Sequence, residues 1–283
     1  MIYYHVDVFS SEILSGNGLT VIFHEEDMST QYMQAIAQEF KQFETIFLRQ
    51  TGENRFRARI FTVEEELDFA GHPILGAMAV IHEKLYAEIQ NATVVFELNN
   101  KTLQAESVKM EGYFQATMNQ GVPEFLGAVV DGELVNTFLH ALNLTADNLH
   151  PKLPMEVVST GLPYLIVPLA SGLEKAKIST KDFEAQLEKI QAKFVYVFSV
   201  DRMEGRTWDN RGLIEDVATG SAAGPTGAYL YKWNICNADE DVLINQGGFV
   251  GRPSKIKVFA DQSTGHIKVA GDVKIIAKGQ LLI

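Results

Sequence analysis

The chain has 283 residues, 46% of them hydrophobic, and a formal net charge of −12 from 36 acidic and 24 basic side chains. This length fits one large domain or two of ordinary size, and the composition is that of a globular protein with a sizeable core. The acidic balance, with no basic cluster, excludes a nucleic-acid-binding surface. The single cysteine, Cys236, excludes an internal disulfide, a zinc site of several cysteines and two-thiol chemistry within one chain.

The first residues predict a strand, without the basic leader or cleavage site of a targeting signal. No apolar run approaches the length that would cross a membrane. We therefore expect a cytoplasmic protein with no membrane contact.

The first fifth of the chain predicts strands at residues 3–9 and 19–23, followed by a helix. Ser29 or Thr30 is expected to cap this helix, which should end near residues 41–42 because apolar side chains recur at helical spacing up to there. A strand is predicted from Glu44. The acidic run at residues 24–27 is interpreted as a solvated loop, because adjacent side chains do not converge on a metal.

Residues 68–76, Asp-Phe-Ala-Gly-His-Pro-Ile-Leu-Gly, predict the start of a buried helix. The chain that follows is apolar on almost every side, which is typical of a helix inside a core. Pro73 suits a first helical turn, where its missing N–H loses nothing. A helix that begins at Gly71-His72 directs unpaired backbone amides outward beside a histidine, and this pattern favours an anion site.

Residues 215–224 repeat this pattern about half a chain later. Gly220 and Ser221 again place a glycine and a hydrogen-bonding side chain before small residues, and they predict a helix to about residue 233. Two matching helix starts, one in each half, suggest a duplicated architecture with a site between the halves. A short match that contains glycine also arises by chance, so the repeat alone leaves the question open.

The remaining sequence predicts strands and outer helices without a long linker. Helices are expected at residues 132–143 and from residues 179–180. Further strands are expected at residues 57–61, 93–98, 103–109, 113–119, near 157, 164–167, 194–200, 256–259, 267–269 and 273–282. The glycine-rich residues 245–253 do not open a helix. Because no Walker A, Rossmann or His-Glu-x-x-His motif is present either, nothing in the sequence requires a nucleotide or zinc.

Four residues are candidates for chemistry: Glu44, His72, Asp216 and Ser221. Glu44 lies among apolar residues, where desolvation raises the pKa of a carboxyl group towards neutral pH and makes it a usable acid or base. Each residue taken singly is better explained structurally. Glu44 would be an exposed strand-edge residue, His72 a hydrogen-bonding residue at a helix end, and Asp216 and Ser221 helix caps. The equivalent places of His72 and Ser221 in the two motifs weaken that explanation.

A Ser-His-Asp triad in the order His72, Asp216, Ser221 is a weak alternative. Asp216 and Ser221 would both lie beside one helix start, whereas a triad needs the aspartate behind the histidine. Ser221 also lies outside a Gly-x-Ser-x-Gly elbow. A serine hydrolase that uses Ser221 is therefore the weakest of the three hypotheses about function.

Several segments, taken together, resemble the PhzF family of phenazine-biosynthesis-like isomerases. They fall in family order across nearly the whole chain: Asp7-Val8-Phe9, Gly16-Asn17, Phe43-Glu44-Thr45, Phe61-Thr62, Phe69-Ala70-Gly71-His72-Pro73, Thr160-Gly161-Leu162-Pro163, Glu215-Asp216-Val217-Ala218-Thr219-Gly220-Ser221-Ala222, and Gln246-Gly247 with Gly251-Arg252-Pro253-Ser254. The Gly-His-Pro and Thr-Gly-Ser segments are specific in combination. The chain is on these grounds identified as a member of this family.

The resemblance implies an α+β, diaminopimelate-epimerase-like fold of two similar lobes, each a curved mixed sheet around a central helix. The expected lobes are residues 1–121, with the last strand (about 271–283) returning to them, and residues 122–270. The resemblance also implies a homodimer and cofactor-independent isomerisation of a small anionic metabolite, in a cleft between the lobes. In the phenazine enzyme a glutamate moves a proton between carbons of trans-2,3-dihydro-3-hydroxyanthranilate.

By the same resemblance, Glu44 is the acid and base, and His72 and Asp216 position the substrate and its protons. Gly71, His72, Gly220 and Ser221 are expected to bind the substrate. Related amino-acid racemases use two cysteines, one before each central helix. Ala70 and Thr219 occupy those places here, which excludes their two-thiol mechanism. The competing hypothesis is a catalytically silent small-molecule-binding or regulatory protein that uses the same cleft.

Overall fold

The computed structural model describes residues 1–283, with five α-helices and sixteen strands. The helices are α1 (Thr30–Phe40), α2 (Gly71–Leu85), α3 (Gly132–Ala141), α4 (Phe183–Glu188) and α5 (Gly220–Lys232). The strands are β1 (Ile2–Val8), β2 (Asn17–Phe23), β3 (Glu44–Gly52), β4 (Arg55–Phe61), β5 (Glu66–Leu67), β6 (Asn91–Glu97), β7 (Thr102–Lys109), β8 (Phe114–Gly121), β9 (Glu124–Val129), β10 (Met155–Ser159), β11 (Pro163–Leu169), β12 (Phe194–Ser199), β13 (Glu204–Arg206), β14 (Val242–Gln246), β15 (Ser254–Ala260) and β16 (Ile267–Gln280). No helix has both the length and the apolar character needed to span a bilayer.

The chain divides into two compact units. Unit 1 comprises residues 1–119 and 270–283, and unit 2 comprises residues 120–269. The lobe limits expected from the sequence differ from the limits of these units by one or two residues. That the two lobes are separate domains stays a prediction.

In unit 1 the strands close around α2. Their order is β1-β2-β3-β4-β6-β7-β8-β16, and β1 pairs with β16 as well as with β2, so this path has no free end. The sheet is mixed, because β2–β3 and β4–β6 are parallel pairs. Helix α2 packs against β1, β2, β3, β6 and β7 and buries every residue from Gly71 to His82. The predicted buried helix is confirmed, and an all-round apolar sequence is what such a position requires.

Unit 2 also arranges a mixed set of strands around a central helix, α5, but no pairing between β9 and β15 closes its path. The strand order is β15-β14-β13-β12-β11-β10-β9, again with parallel pairs, at β11–β12 and β13–β14. Helix α5 packs against β10, β11 and β15. Helices α3 and α4 contribute Phe138, Phe183 and Leu187 to a further apolar cluster of this unit. The predicted α+β class, with a central helix in each mixed sheet, is confirmed.

Two strands expected at residues 267–269 and 273–282 form one continuous strand, β16. Gly271 lies inside this strand, where a Cβ would stand 2.3 Å from the ring of the buried Phe9. A glycine in a strand interior often marks such a close approach.

The helix expected from residues 179–180 is shorter than the sequence predicts, and it begins at Phe183. Ser179 does not cap it. Its hydroxyl instead donates to the backbone oxygens of His140 (3.1 Å) and Ala141 (3.0 Å), at the end of α3. Serine is common at both kinds of position because its hydroxyl satisfies any nearby backbone group, so the residue type alone does not distinguish them.

Candidate functional site

Glu44 is the first residue of β3, and this strand lies inside the sheet of unit 1. Leu19 of β2 is its neighbour in register, and β4 pairs with the other side of β3 from Thr45 onward. The Glu44 side chain is only 16% exposed. The interpretation of Glu44 as an exposed strand-edge residue is therefore wrong, because its surroundings come from strands that are distant in sequence.

His72 is the second residue of α2 and contacts Glu44. Its Nε2 lies 3.2 Å from Glu44 Oε2, and only 5% of His72 is exposed. Burial lowers the pKa of the His72 imidazole from 6.5 to about 3, because the charged ring would lose its hydration. His72 is therefore neutral at physiological pH.

A neutral imidazole in contact with a carboxyl group can hold one proton in two ways. Either His72 Nε2 carries the hydrogen and faces a carboxylate, or Glu44 carries it and faces the free nitrogen lone pair. The two atoms lie 3.2 Å apart, but their orientation does not meet hydrogen-bond geometry, so proton transfer between them requires one side chain to reorient. A carboxyl group next to a neutral imidazole is a combination of side chains that can act as a general acid and base.

The backbone at this site adds donors for an anion. Ala70 is the N-cap residue of α2 and provides no side-chain cap hydrogen bond. The first amides of a helix have no partner within the helix, and its dipole favours negative charge at this end. The backbone N–H groups of Gly71 and His72 are therefore available at the same helix start that carries the His72 side chain.

The neutrality of His72 predicts a measurable pH dependence of stability. An unfolded histidine takes up a proton near pH 6.5, whereas folded His72 does so only at about pH 3. The unfolded chain binds more protons in this window, so stability falls as the pH drops through it, by about 1.4 kcal/mol per pH unit. Urea unfolding of wild type and His72→Asn between pH 6.5 and 4 measures this slope as the difference between the two proteins.

His140→Asn is the matched control for this prediction, because His140 is an exposed histidine at the end of α3. Its substitution removes one histidine and leaves the Glu44–His72 contact intact, so comparison of the two variants assigns the change of slope to His72. Equal slopes for wild type and His72→Asn would show that folded His72 takes up its proton as an exposed histidine does.

In unit 2 the second motif opens α5 at Gly220. The N-cap residue is Thr219, and it provides no side-chain cap hydrogen bond to the helix. The predicted correspondence of Gly71 and Gly220 is confirmed for their places in the fold, since each glycine is the first residue of the central helix of its unit. The helix starts one residue before the predicted Ser221.

Ser221 and Asp216 each have a hydrogen-bond partner in unit 2. The Ser221 hydroxyl lies 2.8 Å from the Tyr164 hydroxyl. The Thr219 hydroxyl donates to Asp216 Oδ2. The interpretation of Ser221 as a helix cap is wrong, because Thr219 has that position and the Ser221 side chain bonds to a tyrosine of β11.

Sequence reasoning missed a buried ion pair beside Asp216. Arg206 donates to both carboxylate oxygens of Glu215, at 2.9 Å from Nε and 2.6 Å from Nη2. Its Nη1 donates to the backbone oxygens of Leu173 (2.8 Å) and Ala176 (3.1 Å). Nothing in the local sequence marks this pair, because Arg206 lies nine residues before Glu215 on a different element.

The acidic run at residues 24–27 is a loop, as predicted. His24 Nδ1 lies 2.8 Å from the Glu26 backbone oxygen, and Asp27 pairs with Arg49 at 2.6 Å. No group of three or more histidine, cysteine, aspartate or glutamate side chains is arranged to hold a metal ion.

Comparison with known proteins gives a consistent result across the whole chain. The family described as phenazine biosynthesis-like protein matches residues 6–279. The trans-2,3-dihydro-3-hydroxyanthranilate isomerase of Pseudomonas chlororaphis is 31% identical, over 99% of each chain. An uncharacterized isomerase of Escherichia coli K12 is 29% identical, over 96% of this chain and 95% of its own. A solved structure from Pseudomonas aeruginosa, described as a predicted epimerase, is 43% identical with a TM-score of 0.93, over 100% of this chain and 99% of its own.

Proposed function

The chain belongs to the phenazine biosynthesis-like protein family, and we propose that it is an isomerase that moves a proton on a small carboxylate-bearing metabolite without a cofactor. Relatives of similar length carry isomerase names, which supports the reaction class. The observation that carries the finer proposal is the contact between the Glu44 carboxyl group and the buried, neutral His72.

Glu44 acts in this proposal as both base and acid. Its carboxylate takes a proton from an activated carbon, and the electron pair of the broken C–H bond moves into the adjacent unsaturated group of the substrate. The carboxylic acid then returns the same proton to another carbon, so no atom is gained or lost. General acid–base catalysis of this kind contributes about 10²–10⁴-fold to a rate.

His72 is the proton-handling partner of Glu44 in this proposal. Because His72 is neutral, it can donate a hydrogen bond to the carboxylate form of Glu44 or accept one from the acid form. The ring therefore serves both protonation states of Glu44 and carries no charge in either. Burial of a charged imidazole at this place would cost free energy in every state of the cycle. The neutral ring avoids that cost while it keeps the carboxyl group oriented.

Substrate binding is proposed for the two helix starts. The backbone amides of Gly71, His72, Gly220 and Ser221 and the Ser221 hydroxyl would hold the carboxylate and other polar groups, while Asp216 orients the substrate and its protons. Helix N-termini suit an anion even in an acidic protein, because their local field outweighs a screened net charge at contact distance. The homodimer and the cytoplasmic location stay predictions from the family resemblance.

The named relative suggests the first compound to test, trans-2,3-dihydro-3-hydroxyanthranilate. We would incubate the protein in D₂O with this compound, then with an extract of small carboxylate metabolites, and measure both conversion and deuterium uptake by mass spectrometry. We expect one metabolite to isomerise, with deuterium at the new C–H position where the proton exchanges with solvent. Internal return of the proton still gives conversion. A protein that binds a metabolite without converting it would contradict the proposal and favour the binding-protein hypothesis.

A further inference from the structure

Gln246 ends β14 beside the turn that leads into α5. Its side chain is buried, with 1% exposure, and makes four hydrogen bonds. Nε2 donates to the backbone oxygen of Asp216 (3.0 Å) and to Thr219 Oγ1 (2.9 Å). Oε1 accepts from the Tyr196 hydroxyl (3.0 Å) and from the Thr219 backbone amide (3.1 Å). A primary amide has two donor hydrogens and two acceptor lone pairs, so every hydrogen-bonding position of Gln246 is used.

These contacts set the direction of the hydrogen bond that reaches Asp216. Because Gln246 Nε2 donates to Thr219 Oγ1, the hydroxyl keeps its own hydrogen available, and it donates this hydrogen to Asp216 Oδ2. The same amide group also binds the backbone at both ends of the turn, at the Asp216 carbonyl and the Thr219 N–H. One side chain therefore fixes the backbone of the turn and one oxygen of the Asp216 carboxyl group.

Gly247, the next residue, lies against the backbone of the same turn and leaves no room for a side chain. Its φ is +82°, and a Cβ there would lie 2.6 Å from the backbone oxygen of Val217 and 2.2 Å from that of Arg252. Any larger residue would push the Val217 peptide away and would also be strained at this φ. Gln246 thus binds the turn through its side chain, and Gly247 allows the turn and residue 252 to approach the end of β14 closely.

We infer that Gln246 is a positioning residue for the proposed isomerisation, one that orients the Asp216 carboxyl group and fixes the start of α5 at Gly220. It acts through Thr219 and the turn. This inference rests on the proposed function only for its effect on turnover, because its effect on the turn itself can be measured without a substrate.

The kinetic test uses Gln246→Met, which keeps the length of the side chain and removes all four hydrogen bonds. We expect kcat to fall about 10–100-fold while KM changes less than about 3-fold, because misplaced groups lower transition-state stabilisation more than ground-state binding. Thr219→Val breaks the same link to Asp216 and is expected to lower kcat as well. The double variant should be no slower than Gln246→Met, since the two changes act on one chain of contacts.

The structural test is amide hydrogen exchange of residues 216–221. Loss of the bond from the Thr219 N–H to Gln246 should speed exchange of that amide on the order of 10-fold or more in Gln246→Met. The matched control is Gln104→Met, the same substitution at an exposed position of β7. It is expected to change neither this exchange nor kcat.

The two tests separate failure of this inference from failure of the proposed function. Unchanged exchange at Thr219, or unchanged kcat where wild type is active, overturns the positioning role of Gln246. A uniform rise in exchange across unit 2 with unchanged kcat overturns it too, because that result describes a residue needed only for stability. Faster exchange confined to residues 216–221 together with a lower kcat supports the role. If wild type converts none of the compounds tested, the same exchange result still supports the effect of Gln246 on the turn, and only the proposed function fails.

Discussion

Glu44→Gln is expected to lower the turnover of the substrate by about 10³-fold or more, while the folded structure is retained. Glutamine has the shape of glutamate, but its amide neither takes a proton from carbon nor returns one. The expected loss lies within the range of about 10²–10⁴-fold for removal of a general acid or base. The substitution should lower kcat and kcat/KM by the same factor, because the proton transfer takes place in the transition state.

Two further variants sharpen this prediction. Glu44→Asp keeps the carboxyl group but draws it back by one methylene, so we expect partial activity, well above that of Glu44→Gln. Glu25→Gln is the matched control at an exposed loop position, and it should behave as wild type. Turnover and deuterium incorporation in D₂O, with calorimetric binding of the same compound, measure all three.

The competing hypotheses differ in what these measurements return. An isomerase loses turnover in Glu44→Gln but keeps measurable binding. A binding protein binds equally well before and after the substitution and converts nothing in either form. A Glu44→Gln variant as active as wild type would remove Glu44 from the mechanism, whatever the substrate.

Arg206→Leu is expected to destabilise the protein by about 3–5 kcal/mol, because it leaves the Glu215 carboxylate without its buried partner. The backbone oxygens of Leu173 and Ala176 lose their donor at the same time. The guanidinium carbon also stands 4.3 Å from the ring centre of Phe249 and 4.9 Å from that of Trp208. Removal of this side chain therefore costs charge pairing, hydrogen bonds and packing together.

Urea unfolding would measure this loss, with Arg49→Leu as the control. Arg49 also pairs with a carboxylate, that of Asp27, but the Asp27 side chain is 87% exposed. Solvent-exposed pairs contribute about 0–1 kcal/mol, so the control should change stability by no more than that. Replacing both Arg206 and Glu215 with leucine should recover part of the stability, because no buried charge then lacks a partner. A similar small loss for Arg206→Leu and Arg49→Leu would show that the Arg206–Glu215 pair contributes no more than a surface pair.

The central helices could be predicted from sequence because their signals are local. Gly71-His72-Pro73 carries a helix start and an apolar run in consecutive residues, and Gly220-Ser221 repeats the pattern. The cap at Ser29 is equally local, since its hydroxyl accepts from the Tyr32 amide three residues later. Such features depend on backbone geometry within one turn of helix, which a few neighbouring side chains determine.

The contacts that make the candidate site could not be predicted in the same way. The burial of Glu44 depends on strands paired from both sides, and the contact between Glu44 and His72 joins a strand to a helix 28 residues later. The roles of Tyr164, Arg206 and Gln246 depend likewise on side chains far apart in sequence. Gly271 shows the same limit, since only the packing of Phe9, which is distant in sequence, explains a glycine within a strand.

The pairing of β1 with β16 has a consequence for synthesis of the protein. Unit 2 is continuous in sequence, so nearly all of its residues precede β16, the strand that completes the sheet of unit 1. Until that strand arrives, β1 has one neighbour only and the sheet around α2 has two open edges, which are templates for wrong pairing. The sheet that holds Glu44 and contacts His72 is therefore closed only after the chain of unit 2 has been made.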